Sequence, residues 1–201
     1  MAARLGLDRE QVIDAAVELL EERGGPDGLL LSDLAGRLGI RTQSLYAHVD
    51  GADGLRRDLA LRGLGALADR LSAAAMGRAG RDALEAILRA WLGFAEQCPG
   101  LYRATLRPPG DDTALTAAIE ATTQPLRLVL RSYGLTERAV THWYRLMFAA
   151  VCGFASLRAD GMFTLPGDPD QTLRMMIDMF ADRLDAEACS QGSRRPTPLP
   201  A

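Results

Sequence analysis

Between residues 34 and 49 of this 201-residue chain, two very short apolar patterns flank a single glycine, and no other feature constrains the fold as tightly. Leu34, Ala35 and Leu38 share one helix face, with Ser32 placed to cap it, and Gly39 stands where a tight turn needs a residue tolerant of positive φ. Ile40 fills the corner. Leu45 and Val49, four apart, then predict a second helix from Thr42 whose buried side they occupy. This is the pattern of a helix-turn-helix. It leaves Arg41, Thr42, Gln43, Ser44, Tyr46, Ala47 and His48 outside or at the margin. Arg and Gln can make paired hydrogen bonds to base edges, while Thr, Ser, Tyr and His suit phosphate oxygens. The small residues at 35, 36 and 39 would also fit an ordinary helical hairpin in an all-α core.

The remaining chain reads as helices. Asp8 and Gln11 form a capping-box pair before a stripe of Val12, Ile13, Ala16, Leu19 and Leu20. Breakers follow at residues 24–28. Asp53 is placed to cap a long helix carrying Leu55, Leu59, Leu64, Leu67 and Leu71, a rod from a small three-helix unit into a second region. A helix from about Arg81 to Gln97 is stopped by Pro99 and Gly100. A short piece follows, then one capped by Asp111 or Asp112 that Pro125 kinks or divides before Gly134. Two last helices run roughly from Glu137 to Asp160 and from Pro169 to Glu187. The fold class expected is all-α, with a helix-turn-helix domain over 1–52, a helical domain over 53–189 and a disordered tail over 190–201.

Charge bears directly on what such a motif can do. The chain carries a formal net charge of -3, and residues 1–65 hold eight arginines against eleven acids. That balance argues against a nonspecific coat on nucleic acid. Arg37, Arg41, Arg56 and Arg57 are expected to bracket the reading helix and outweigh the sum locally. Every basic residue is arginine, which a GC-rich genome explains. Three cysteines at wide spacing, without a disulfide pattern, fit a reducing cytoplasm, and no apolar run has the length of a signal peptide or membrane span.

The last two helices carry more apolar surface than one intrachain contact hides. Val140, Met147, Val151 and Phe154 line one stripe, and Leu173, Ile177, Phe180 and Leu184 another. A twofold partner packing them as a four-helix bundle would bury the surplus. The alternative is that both stripes belong to the core of one chain.

Leu34 and Ala35, Gly39, Leu45 and Tyr46, and His48 at these spacings resemble the DNA-binding domain of the TetR family of bacterial regulators. The C-terminal half is similar, more weakly, to a subgroup with a tryptophan-histidine-glycine signature, through residues 151–157 and 161–163. Val151 and Cys152 stand where that tryptophan and histidine would be, so chemistry attached to the histidine is not carried over. The resemblance implies that residues 41–44 lie over the major groove, with Arg41 and Gln43 as base readers and Thr42, Ser44, Tyr46 and His48 as positioning contacts. It implies a homodimer on an operator of double-stranded DNA and a small apolar effector within the C-terminal helices, with Trp91, Phe94, Tyr144 and Phe148 as candidate walls. Two departures stand out: Arg41 replaces a capping serine, and Gly51, Ala52 and Asp53 replace a serine-lysine-glutamate run, so a lysine contact to phosphate is missing.

Catalysis finds little foothold. His48 and His142 lie far apart, neither in a metal-ligand spacing, and no phosphate-binding glycine loop is present. No enzyme activity, cofactor or metal is expected. The function expected is a DNA-binding transcriptional regulator, a repressor released by its effector. The alternative is a helical protein-interaction module that has lost DNA binding.

Overall fold

The computed structural model describes residues 7–192, which form helices and no strand. In chain order they are α1 (Arg9–Arg23), a 3-10 turn (Pro26–Gly28), α2 (Leu31–Leu38), α3 (Thr42–Leu45) and α4 (Gly51–Ala75). After these come α5 (Gly80–Gln97), α6 (Pro99–Thr105), α7 (Thr113–Ser132), α8 (Glu137–Ala159) and α9 (Pro169–Gly192). Two compact units result. The first takes the chain as far as Asp69 together with Gly93–Thr122, and the second takes Arg70–Leu92 with the described residues from Thr123 onward. Helices α4, α5 and α7 therefore serve both units, because α6 and the start of α7 pack into the same unit as α1.

In the first unit, α1 starts with the expected capping box. The Asp8 carboxylate accepts from the Gln11 amide at 2.8 Å, and the Gln11 side chain accepts from the Asp8 amide at 3.0 Å. Its buried stripe is Val12, Ile13, Ala16, Leu19 and Leu20. The turn at Gly39 has φ 67°, a left-handed conformation that costs a residue with a Cβ. Ser32 is not a cap. Helix α2 begins at Leu31 with Leu30 in the cap position, where the Leu30 carbonyl accepts from Asp33 and Leu34.

Helix α6 closes this unit at very short range. A Cβ on Gly100 would stand 2.5 Å from the Leu20 carbonyl oxygen, and one on Gly63 would stand 2.9 Å from the Leu101 carbonyl oxygen. The backbones of α1 and α4 thus approach α6 where only hydrogen fits. Glu21 of α1 completes the joint: its carboxylate accepts from the amides of Gly100 at 2.9 Å and Leu101 at 2.8 Å, satisfying two donors that the helix itself leaves free. Pro99, expected only as a stop, opens α6 at a position that needs no amide hydrogen.

Asp112 caps α7 by accepting from Ala114 at 3.0 Å and Leu115 at 3.1 Å, and it also holds the Arg57 guanidinium of α4. Pro125 does not divide α7, which is a single helix through Ser132. The Thr122 hydroxyl donates within that helix to Ala118 and is 3.1 Å from the Leu64 carbonyl of α4.

The second unit overturns the expected dimer stripe. Val140, Met147, Val151 and Phe154 of α8 and Leu173, Ile177, Phe180 and Leu184 of α9 are all buried within the single chain. They are its core, so they cannot also present a face to a partner. Trp143 meets Phe180 edge-on at 6.3 Å, and Arg81 of α5 holds Asp178 and Asp182 of α9 at 2.5 Å each. Helix α9 runs to Gly192, beyond the expected start of the tail at 190. The rest of that tail lies outside the described residues.

Gly100→Ala is expected to lower stability by about 1–3 kcal/mol, because the added methyl meets backbone rather than a movable side chain. Gly36→Ala, where a Cβ meets nothing within 4 Å, should instead raise it by about 0.5–1 kcal/mol through helix propensity. Urea denaturation of the two variants checks both signs.

Acid should unfasten the α4–α7 tie in a defined window. The Arg57 guanidinium, with help from the Leu115 amide, pulls the Asp112 carboxyl down to about 2. A carboxyl lowered in the folded state stabilises fully above its unfolded value of about 4 and loses that contribution as pH falls through its folded value. Asp112→Asn should therefore lower Tm at pH 7 and flatten the fall in Tm between pH 4 and pH 2, as read by thermal circular dichroism.

Candidate nucleic-acid and effector sites

Helix α3 is one turn long. The amides of His48 and Val49 both bond to the Leu45 carbonyl, at 2.8 and 3.0 Å, so the helix expected to reach Val49 ends at Leu45 and continues as turns. Leu45 and Val49 nonetheless stay buried. That anchoring turns Arg41, Thr42, Gln43 and Ser44 outward as a continuous exposed run, followed by Tyr46 at 60% exposure and Ala47. His48 is half-buried. Five of the six residues expected at DNA are thus brought together on the open side of one turn.

The arginines around this turn are distributed differently from the expectation. Arg37 is committed to α1, reaching Glu22 at 2.5 Å and Glu18 at 3.3 Å, and its hydrogen bond holds the Glu22 carboxyl below the usual range. Arg57 is committed to Asp112. Arg9 pairs with Asp58 at 2.6 Å, and Arg62 with Asp14. Among the described residues, Arg41 and Arg56 make no ion pair. The acidic surplus of this region is therefore spent on fastening helices to one another, and two of the four bracketing arginines are spent with it.

The start of α4 also departs from expectation. Asp53 lies in its first turn and does not cap it; both carboxylate oxygens accept from Arg107, at 3.0 and 3.1 Å. That pairing lowers the Asp53 pKa and offsets its negative charge, one residue after Ala52, where the missing lysine would have stood.

Three of the four expected effector walls come together in the second unit. Trp91 of α5 lies 6.2 Å from Tyr144 and 5.7 Å from Phe148 of α8, and the Tyr144 and Phe148 rings stack at 6.1 Å and 9°. Phe94 belongs elsewhere, edge-on to Tyr102 in the first unit. Burial pushes the Tyr144 hydroxyl up to about 12, with Cys152 adding to the shift and Arg127 opposing it. The Trp91 Nε1 and the Arg127 Nε are buried and have no hydrogen-bond partner. A buried donor left unpaired costs about 1–3 kcal/mol. Arg127 was not singled out from sequence. The available signal was its position four before Arg131, both reaching Glu137.

With this geometry in hand, comparison with known proteins assigns the class. Residues 84–180 match the family described as "Tetracyclin repressor-like, C-terminal domain". The uncharacterized HTH-type transcriptional regulator Rv0681 of Mycobacterium tuberculosis is 35% identical over 158 residues, covering 78% of this chain and 72% of that protein. The uncharacterized HTH-type transcriptional regulator YobS of Bacillus subtilis is 28% identical over 184 residues, 92% of this chain and 96% of that one. In structure, the TetR family transcriptional regulator PfmR of Thermus thermophilus superposes with a TM-score of 0.64 at 18% identity, covering 86% of this chain and 97% of that one.

The chain belongs to the TetR family of DNA-binding transcriptional regulators. It is a regulator rather than an enzyme. No helix of the described residues is long and apolar enough to cross a membrane.

The pairing of Arg37 separates it from the arginines free to meet phosphate. Arg56→Ala should weaken DNA binding and reduce the salt slope by about one, whereas Arg37→Ala should lower Tm and leave that slope unchanged. Fluorescence anisotropy over a salt series on duplex DNA reads both.

Proposed function

We propose that the chain acts in the cytoplasm as a homodimeric repressor on a palindromic operator, released when a small molecule binds its C-terminal helices. The carrying observation is the exposed run of Arg41, Thr42, Gln43 and Ser44 held rigid by buried Leu45 and Val49. Arg41 and Gln43 read base edges, and Thr42, Ser44, Tyr46 and His48 position the turn on phosphates. Two such turns in successive major grooves would lie about 34 to 36 Å apart.

A dimer face is supported by what α8 and α9 leave uncovered rather than by the stripe first expected. Leu146, Gly153 and Leu157 on α8, and Met175 and Met179 on α9, are exposed at helical spacing. A second copy would cover them. Trp91, Tyr144 and Phe148 are the proposed effector walls. The effector favours the conformation whose reading turns are wrongly spaced, and so draws the dimer off its operator.

Selection of bound sequences from a random duplex pool should return a palindrome. Replacing Arg41 or Gln43 by Ala should cost about 1–3 kcal/mol on that site and relax preference at single positions. Unchanged discrimination in both variants would refute the assignment of base readers, and failure to enrich any sequence would favour an interaction module instead.

A further inference from the structure

The loop between α6 and α7 is fastened to the first turns of α4 by two ion pairs of opposite sense. Arg57 of α4 holds Asp112 of the loop, and Arg107 of the loop holds Asp53 of α4, with its two Nη atoms on separate carboxylate oxygens at 3.0 and 3.1 Å. Asp53 and Arg57 stand four apart and so share one helix face. The pairs are unequal in what they do for the fold. Asp112 is largely covered and also caps α7, so the Arg57 pair secures the loop by itself. The Asp53 side chain is 76% exposed, and an ion pair so open to water contributes little to stability. Folding alone does not account for its two-pronged geometry.

Its position does. Gly51 opens α4, and a Cβ there would lie 3.9 Å from the Tyr46 ring, so that exposed ring rests against the start of the helix. Asp53 follows two residues later, about 3 Å along the helix axis. Charges are screened over about 8 Å at physiological salt, so a phosphate seated beside Tyr46 at this end of α4 feels that carboxylate. Asp53 is the acid in the first turn of α4, and the group that cancels its charge lies 54 residues further along the chain.

We propose that Arg107 is a positioning residue for DNA binding: by gripping both oxygens of Asp53 it cancels the acidic charge beside Tyr46 and lets a backbone phosphate settle there. The proposal rests on reading the turn at residues 41–48 as the DNA contact, and adds to it a loop that itself touches no DNA. Affinity for duplex then depends on the α6–α7 loop keeping its place. Every sequence feels the effect alike, because phosphates carry no sequence information.

Fluorescence anisotropy of the full-length protein on a duplex recovered from the random pool, and on an unrelated duplex of the same length, tests this. Arg107→Ala should weaken binding to both about three- to tenfold at low salt and lower the salt slope by about one, since one net positive charge is lost. Its Tm should stay within about 2 °C of the unaltered protein, as an exposed pair allows. Adding Asp53→Ala to Arg107→Ala should return the slope to its original value and the affinity to within about twofold. Asp53→Asn alone should bind at least as tightly as the unaltered protein, an arm that does not depend on how well the arginine variant folds. Unchanged binding by Arg107→Ala, a weakening that the second substitution leaves in place, or weaker binding by Asp53→Asn would each overturn the proposal. The second of these would mean that Arg107 meets phosphate itself. If the unaltered protein binds no duplex, the reading of the turn fails as well; if it binds and Arg107→Ala matches it, only the role of Arg107 falls.

Discussion

The first unit depends on the close approach of α6 to α1 at Gly100. With the Leu20 carbonyl where a Cβ would have to be, α1 and α6 can hold this distance only through a glycine. The same approach lets Glu21 reach the two free amides at the start of α6. A carboxylate at a helix N-terminus is favoured both by the hydrogen bonds and by the helix dipole. Helix α1 in turn carries the buried side-chain stripe on which the helix-turn-helix rests, so the same helix is fixed on one side by backbone and on the other by packed apolar side chains.

Electrostatics ties the other helices of this unit to α1 and explains an oddity of composition. A region meant for an anionic partner holds more acids than arginines, yet the acids are not distributed over its surface at random. Glu18 and Glu22 clasp Arg37 between α1 and α2, Asp14 holds Arg62, and Asp58 holds Arg9 between α1 and α4. Exposed pairs of this kind each contribute little, but here each one joins two different helices of the small unit. Net charge taken from the sequence counts these groups as if they were free.

The legible parts of the chain were those governed by local rules. The capping box at Asp8, the positive φ at Gly39, the apolar stripe of α1 and the outward run from Arg41 to Ser44 follow from neighbours within a turn or two. The failures came where a distant partner decided the outcome. Asp53 has the position of a cap, but Arg107 reaches it from beyond α6, and Ser32 lost its role because α2 starts two residues earlier than a cap there requires. The dimer stripe failed for a related reason. Periodicity shows that a helix has an apolar face and cannot say whether α9 or another chain covers it, and of the two readings the sequence leaves open, burial favours the core of one chain. Arg127 escaped notice because its spacing from Arg131 marks only a shared helix face, and its buried, unpaired Nε is visible only once the chain is folded.

On the proposed reading, this distribution of charge has a consequence for how operator DNA is chosen. Nonspecific affinity comes from counterions released by cations that reach phosphate. Arg37 and Arg57 are committed inward, the lysine of the family pattern is absent, and Asp53 is neutralised rather than replaced, so few cations remain for that role. Contacts to base edges by Arg41 and Gln43 must then supply a larger share of the binding free energy than in a protein with a basic surface. Such a regulator lingers less on random sequence, and its discrimination rests on the few side chains that Leu45 and Val49 hold in place.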